Sequence, residues 1–176
     1  MACHTLVGDF DTLAPEEVET ARAKGSRVLR FPPDKSKSDL EIALDEARSG
    51  GATHVTIIGA LGGEVDHCLA NFLAPLSLCL ESAIWARLVT SRAQIYLTQE
   101  PVELTAVGQR CSLQALSARV EGLSLSGFKY PLQEATFSRS QTLCLANEVT
   151  EARARVEFAS GELYITLMHN LERPQP

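Results

Sequence analysis

The hydrophobic and polar positions of the first hundred residues alternate between two periods. Residues 5–7 (Thr5-Leu6-Val7) make a short apolar run into Gly8 and predict a strand. Residues 15–24 open on Pro15 with Glu16 and Glu17 in the first turn and close on Lys24-Gly25, which predicts a helix. Residues 27–31 read as a strand ended by Pro32-Pro33. Ser38 and Glu41 have the spacing of a capping box. Leu40, Leu44 and Ala47 form an apolar stripe behind it, and Gly50-Gly51 supplies the stop, so a second helix is expected here. His54–Ile58 is β-branched and glycine-bounded, the pattern of a buried strand. A helix is expected from residue 65 to about 80, with Pro75 as a kink, and strands over 83–90 and 94–97.

From about Val102 the helical period disappears. Short alternating runs follow, broken by Gly108, Gly122, Gly127, Pro131 and Gly161. Residues 153–158 put Ala154, Val156 and Phe158 on one face, and residues 162–167 repeat the alternation beyond Ala159-Ser160-Gly161, which predicts a hairpin. The fold class expected is an α/β N-terminal domain, a mostly parallel sheet with flanking helices over residues 1–98. An all-β antiparallel sandwich or barrel over residues 99–176 completes it.

Composition adds exclusions. A net charge of −6 offers no basic field for a polyanion, so nucleic-acid binding is not expected. The longest apolar stretch, 68–80, is broken by Asn71, Pro75 and Ser77 and is too short to span a bilayer. With no charged-then-apolar leader pattern, the expectation is a cytoplasmic protein. Five scattered cysteines lack C-x-x-C spacing and read as buried free thiols.

Three segments carry candidate chemistry. Gly8-Asp9-Phe10-Asp11 follows a strand, and carboxylates at i and i+2 of extended chain face the same side, as hard-cation ligands do. A solvated turn with the aspartates capping local amides is the alternative. Asp39, in the first turn of the helix capped by Ser38, is favoured as an anion by the helix dipole; it reads either as a plain helix-start aspartate or as the residue that completes a Mg²⁺ site with Asp9 and Asp11. Lys35, in the loop before it, can meet phosphate oxygens or remain solvated. The third segment, Gly59-Ala60-Leu61-Gly62-Gly63-Glu64-Val65-Asp66-His67 with Asn71 beyond it, is a strand, a glycine turn and a helix start, which offers backbone N–H groups to a phosphate. Its spacing is neither that of the P-loop nor that of the dinucleotide fingerprint.

Taken in order, Gly8-Asp9-Phe10-Asp11-Thr12, Lys35 to Asp39 with Glu41 and Ala43-Leu44, and G-x-x-G-G-x-x-D-H-x-x-x-N resemble the thiamine pyrophosphokinase family. Gly108 to Leu113, Gly122-Leu123, Lys129 to Leu132 and Asn147-Glu148 extend the resemblance over nearly the whole chain. It implies a homodimer that moves a diphosphate from ATP to the hydroxyl of thiamine and releases AMP. It also implies that Asp9, Asp11 and Asp39 hold Mg²⁺, and that Asp66 joins them in catalysis. Gly62, Gly63, Asp66, His67 and Lys35 would surround the nucleotide phosphates, and Asn71 and Asn147 would serve thiamine. Leu123, Phe128 and Tyr130 are expected on a two-fold interface. The family begins with a further strand and an Asp-Gly-Gly turn, so the chain reads as N-terminally shortened. Ser36, Glu64 and Ala146 stand where the family usually has Asp, Arg and Ser. Two alternatives stay open: a diphosphokinase for another heterocyclic alcohol such as a pterin, and a non-catalytic thiamine- or nucleotide-binding member.

Overall fold

A computed structural model describes residues 3–75, 78, 82 and 84–169 of the chain. The chain forms two compact units, Met1–Ala52 and Thr53–Pro176. In the first, β1 (Thr5–Gly8) and β2 (Arg27–Arg30) pair in parallel, Thr5 opposite Arg27, across α1 (Pro15–Ala23). Helix α2 (Asp39–Ser49) starts where its capping box dictates: the Glu41 N–H donates to Ser38 Oγ at 3.2 Å and the Ser38 N–H donates to Glu41 Oε2 at 2.8 Å. Val18 of α1 and Ile42 and Leu44 of α2 are buried, with Leu40 and Ala47 half-buried; Ile42 lies outside the expected stripe.

The second unit is built mainly of strands. They are β3 (His54–Ile58), β4 (Trp85–Val89), β5 (Ala93–Thr98), β6 (Val102–Leu104), β7 (Arg110–Ala115), β8 (Arg119–Ser126), β9 (Leu132–Ser138), β10 (Asn147–Glu148), β11 (Ala154–Glu157) and β12 (Leu163–Met168), with α3 (Val65–Leu73) between β3 and β4. One sheet runs β10-β7-β12-β5-β4-β3, so it takes strands from both sides of residue 98. Only its β3–β4 pair is parallel. The antiparallel sheet β6-β11-β8-β9 faces the β7/β12 end of the first. Cys111, Leu113, Leu163 and Ile165 meet Val120, Leu123, Phe137 and Val156 in one core, each at most 1% exposed.

Four expectations need correction or trimming. Residues 153–158 and 162–167 form strands but no hairpin: β11 pairs with β6 and β8, whereas β12 pairs with β5 and β7. The connection carries the chain from one sheet to the other. It is held by a bridge between Glu121 and Ser160, and at Gly161 (φ 112°) an added Cβ would lie 2.8 Å from the Arg119 carbonyl oxygen. Strand β3 is not buried throughout, because only one of its faces is covered: Val55 and Ile57 lie on that face, Ile57 7% exposed, whereas His54, Thr56 and Ile58 lie on the other, Ile58 75% exposed. Leu123 and Phe128 lie in the sandwich core instead of on a surface open to a second subunit, while Tyr130 is exposed. The helix expected to about residue 80 is described as far as Leu73, with much of 76–83 outside the described residues, as are Cys79 and the start of the strand expected at 83.

Among the described residues, no helix is long and apolar enough to cross a membrane. Cys111 and Cys144 are buried free thiols whose pKa burial pushes up to about 12 and about 11, but Cys68 is only half-buried and Cys3 is exposed, against the expectation of buried thiols throughout.

Candidate active site

Strand β1 ends at Gly8, and the chain then turns through Phe10, which sits at φ 63°. Two contacts from β2 and its end hold this turn: the Phe31 N–H donates to the Gly8 carbonyl at 3.0 Å, and Arg30 Nη1 donates to the Asp9 carbonyl at 3.0 Å. The same guanidinium lies 4.8 Å from the Phe10 ring centroid. The Asp11 N–H donates to Asp9 Oδ1 at 3.3 Å, which leaves Oδ2 for other partners. Asp39 approaches from the first turn of α2. A Cβ added at Gly8 would lie 3.1 Å from Asp39 Oδ2, so the missing side chain at Gly8 makes room for that carboxylate.

Both carboxylates converge on the Lys35 ammonium, at 2.9 Å from Asp39 Oδ1 and 3.6 Å from Asp9 Oδ2. The side chains of Lys35 and Asp9 are 13% and 17% exposed and that of Asp39 is 50% exposed. The Asp11 N–H lowers the Asp9 carboxyl below its ordinary pKa against the opposing effect of burial, and Lys35 lowers it further. The bond to Asp39 raises the Lys35 ammonium above its ordinary value. Among the described residues, no group of three or more His, Cys, Asp or Glu side chains lies together closely enough to hold a metal ion. Asp9 and Asp39 nevertheless fit a hard cation as a pair, because they are anionic oxygen donors already aimed at one positive charge. Asp11 meets Asp9 through its backbone.

In the second unit, β3 runs into the glycine turn at Gly59, with positive φ at Gly59 (77°), Gly62 (149°) and Gly63 (83°). A Cβ at any of the three would meet nothing within 4 Å, so the turn is open on that side. The Gly62 N–H donates to Cys68 Sγ at 3.2 Å, and Asn71 Nδ2 donates to the Ala60 carbonyl at 2.9 Å, fastening the turn to α3. The Tyr164 hydroxyl donates to the Phe72 carbonyl, and their ring centroids are 4.2 Å apart, so α3 is pinned to β12 in turn. Asp66 and His67 are exposed in the first turn of α3, where Asp66 Oδ1 accepts from the His67 N–H at 2.8 Å. Asn71 therefore supports the turn from below.

Asn147 lies in β10 and is 4% exposed. Its Oδ1 accepts from the Tyr130 N–H at 3.0 Å and the Glu148 N–H at 2.9 Å, and its Nδ2 donates to the Tyr130 carbonyl at 2.8 Å. The second N–H of that amide makes no bond among the described residues. Ala146 beside it takes φ 60°, and its N–H donates to Ser112 Oγ at 3.0 Å. Gly108, Arg110, Ala146, Asn147 and Glu148 line an open recess of about 380 Å³. Arg30, Ser112 and the steric role of Gly8 escaped the sequence reading. A strand-end arginine and a strand serine carry no local signature, and Gly8 shows its role only once Asp39 is placed.

The strand-end carboxylates and the open glycine turn have the chemistry of a phosphate-handling transferase. Residues 1–83 match the family model described as thiamin pyrophosphokinase, catalytic domain, and residues 94–163 match that of thiamin pyrophosphokinase, vitamin B1 binding domain. The chain belongs to the thiamin pyrophosphokinase family. It is 29% identical to the thiamine pyrophosphokinase of Bacillus subtilis over 159 residues, covering 89% of this chain and 74% of the relative. It is 24% identical to thiamine pyrophosphokinase 2 of Oryza sativa over 94% of this chain and 66% of that protein. The crystal structure of the Bacillus subtilis thiamine pyrophosphokinase superposes with a TM-score of 0.87 at 26% identity, over 97% of this chain and 81% of the other. The yeast thiamin pyrophosphokinase shares the fold, with a TM-score of 0.75 at 11% identity over 96% and 70% of the two chains.

Proposed function

We propose that this chain transfers the terminal diphosphate of ATP to the hydroxyl of thiamine, giving thiamine diphosphate and AMP. Residues 1–98 would serve ATP and residues 99–176 thiamine, a division supported by the order of the two matching family models. The observation that carries the reading is the convergence of Asp9 and Asp39 on one positive charge at the end of β1. The hydroxyl oxygen attacks the β-phosphorus, the bond from that phosphorus to the α-phosphate bridging oxygen breaks, AMP leaves, and the hydroxyl proton passes to solvent or a nearby base. Such a reaction asks for positioning and charge neutralisation rather than a protein nucleophile. Bound Mg²⁺ supplies charge neutralisation of the phosphate oxygens. Asp9 and Asp39 would hold it, with the Asp11 N–H fixing Asp9 Oδ1.

Gly62 and Gly63 would let phosphates approach the backbone of the turn, with Asp66 and His67 beside it, and Lys35 would meet phosphate oxygens from its own unit. Asp66 would hold the reacting hydroxyl, and Asn71 would keep the turn in place. Asn147 would fix the Lys129-Tyr130 segment and offer its remaining N–H to thiamine. A homodimer working in the cytoplasm, where ATP is abundant, completes the reading.

Thiamine- and Mg²⁺-dependent formation of AMP from ATP tests it, and turnover with thiamine is the expected result. AMP formed only with a pterin alcohol would replace the acceptor. Tight binding of thiamine diphosphate without turnover by any acceptor would make the chain a binding protein, the reading that Glu64 at the N-cap of α3 and Ala146 favour.

A further inference from the structure

Resting on the reading of Asp9 and Asp39 as the metal's carboxylates, we infer that Lys35 is a tethered counter-ion. It occupies the seat between them until nucleotide phosphates draw it away, so metal and nucleotide enter the site together.

The seat is formed by two short carboxylate side chains and its occupant is a long one. Asp9 commits Oδ1 to the Asp11 N–H and turns Oδ2 toward Lys35. Asp39 lies across Gly8, where its Oδ2 sits 3.1 Å from the place a Cβ would take, and its Oδ1 faces Lys35. Lys35 reaches the seat on four methylenes and its ammonium can rotate away about each of them. The neighbouring cations are engaged elsewhere: Lys37 pairs with Asp45 at 2.5 Å, and Arg30 is bound to the Asp9 carbonyl and the Phe10 ring. A divalent ion arriving alone must therefore displace an ammonium from a 2.9 Å contact with Asp39 and a longer, 3.6 Å ion pair with Asp9, and leave it without a partner. Arriving with a triphosphate, it brings the oxygens that Lys35 can bind instead. The consequence is coupling: each ligand raises the affinity for the other by the same factor.

The test is Mn²⁺ binding followed by electron paramagnetic resonance, without nucleotide and with a non-hydrolysable ATP analogue, in wild type, Lys35→Met and Lys35→Gln. The two variants should bind free Mn²⁺ at least tenfold more tightly than wild type, and should lose most of the gain in Mn²⁺ affinity that the analogue produces in wild type. Circular dichroism checks that they fold. In the wild-type chain alone, Mn²⁺ should increase acetylation of Lys35, read by mass spectrometry, because the ion ejects the ammonium. Unchanged or weaker Mn²⁺ binding in both folded variants, or Lys35 labelling indifferent to Mn²⁺, overturns the inference. If wild type forms AMP while the variants fail to tighten Mn²⁺, the inference falls and the enzymatic reading stands. If Mn²⁺ tightens and no acceptor is turned over, the reverse holds.

Discussion

The Asp9–Lys35–Asp39 cluster and the Asn147 locus are both polar, both sparingly exposed for the most part and both candidate sites, yet they are bonded in opposite ways. In the first, two carboxylates from segments thirty residues apart share one flexible ammonium, so their interaction can be exchanged for another cation. In the second, a buried neutral amide binds the N–H and C=O of Tyr130 and the N–H of Glu148, so it takes the place of a missing strand neighbour. The difference separates chemistry from scaffolding. Mobile charge with a replaceable partner suits catalysis, whereas an amide closed on backbone groups fixes a loop.

The largest expected effect tests the first half of that contrast. Asp39→Asn should lower thiamine-dependent AMP formation about 10²- to 10³-fold, because the positioned charge is lost. Its urea midpoint should move little, since a first-turn Asn still suits the start of α2. Equal losses of stability and rate would make Asp39 a scaffold residue as well.

Asn147→Ala should do the opposite. Three backbone groups lose a part-buried partner, at a cost of about 2–4 kcal/mol in chemical denaturation. Metal binding at the β1 end should be unchanged. A fully stable variant that has lost only thiamine affinity would make Asn147 a substrate contact alone.

A smaller effect is expected at Gly8→Ala. The added Cβ meets Asp39 Oδ2 at 3.1 Å in a backbone conformation (φ 150°) that favours glycine, so the carboxylate must shift. Turnover should fall about tenfold, as displaced positioning groups do. The reading of Gly8 as making room for Asp39 fails if kcat is unchanged.

The smallest effect is the pH response of the ion cluster. Asp9 titrates below its ordinary value of 3.8 in the folded chain, so its contribution to stability is present above that value and is lost as pH falls through the folded pKa. Lys35 titrates above its ordinary 10.5, so its contribution is present below that value and is lost as pH rises through the folded pKa. The stability difference between wild type and Lys35→Met should hold flat between these limits and shrink outside them. A difference that changes around neutrality points to another group.

Much of this was legible because its cause is local. A cap, a proline or a glycine acts on residues within one turn, so β1, α1, β2, α2 and the start of α3 could be read from neighbours along the chain. The acidic turn, the glycine turn and their order along the chain also lie in short segments, which is why the family resemblance could be stated from them. Partners distant in sequence were not legible. Alternation in residues 153–158 and 162–167 marks two strands, but whether they pair depends on which sheet each joins, and the crossing at Gly161 sends them to different sheets. The β-branched run of β3 marks a strand but not an edge, and Leu123 and Phe128 show their apolar character but not the face that buries them. That Lys35 would lie between two carboxylates also needed the fold, because Asp9 reaches it from twenty-six residues away. The sequence by itself determined the elements and the chemistry available at their ends, through interactions within a turn. The tertiary structure alone decided which strands pair, which faces are covered and which charges meet, because those energies belong to contacts between residues far apart in the chain.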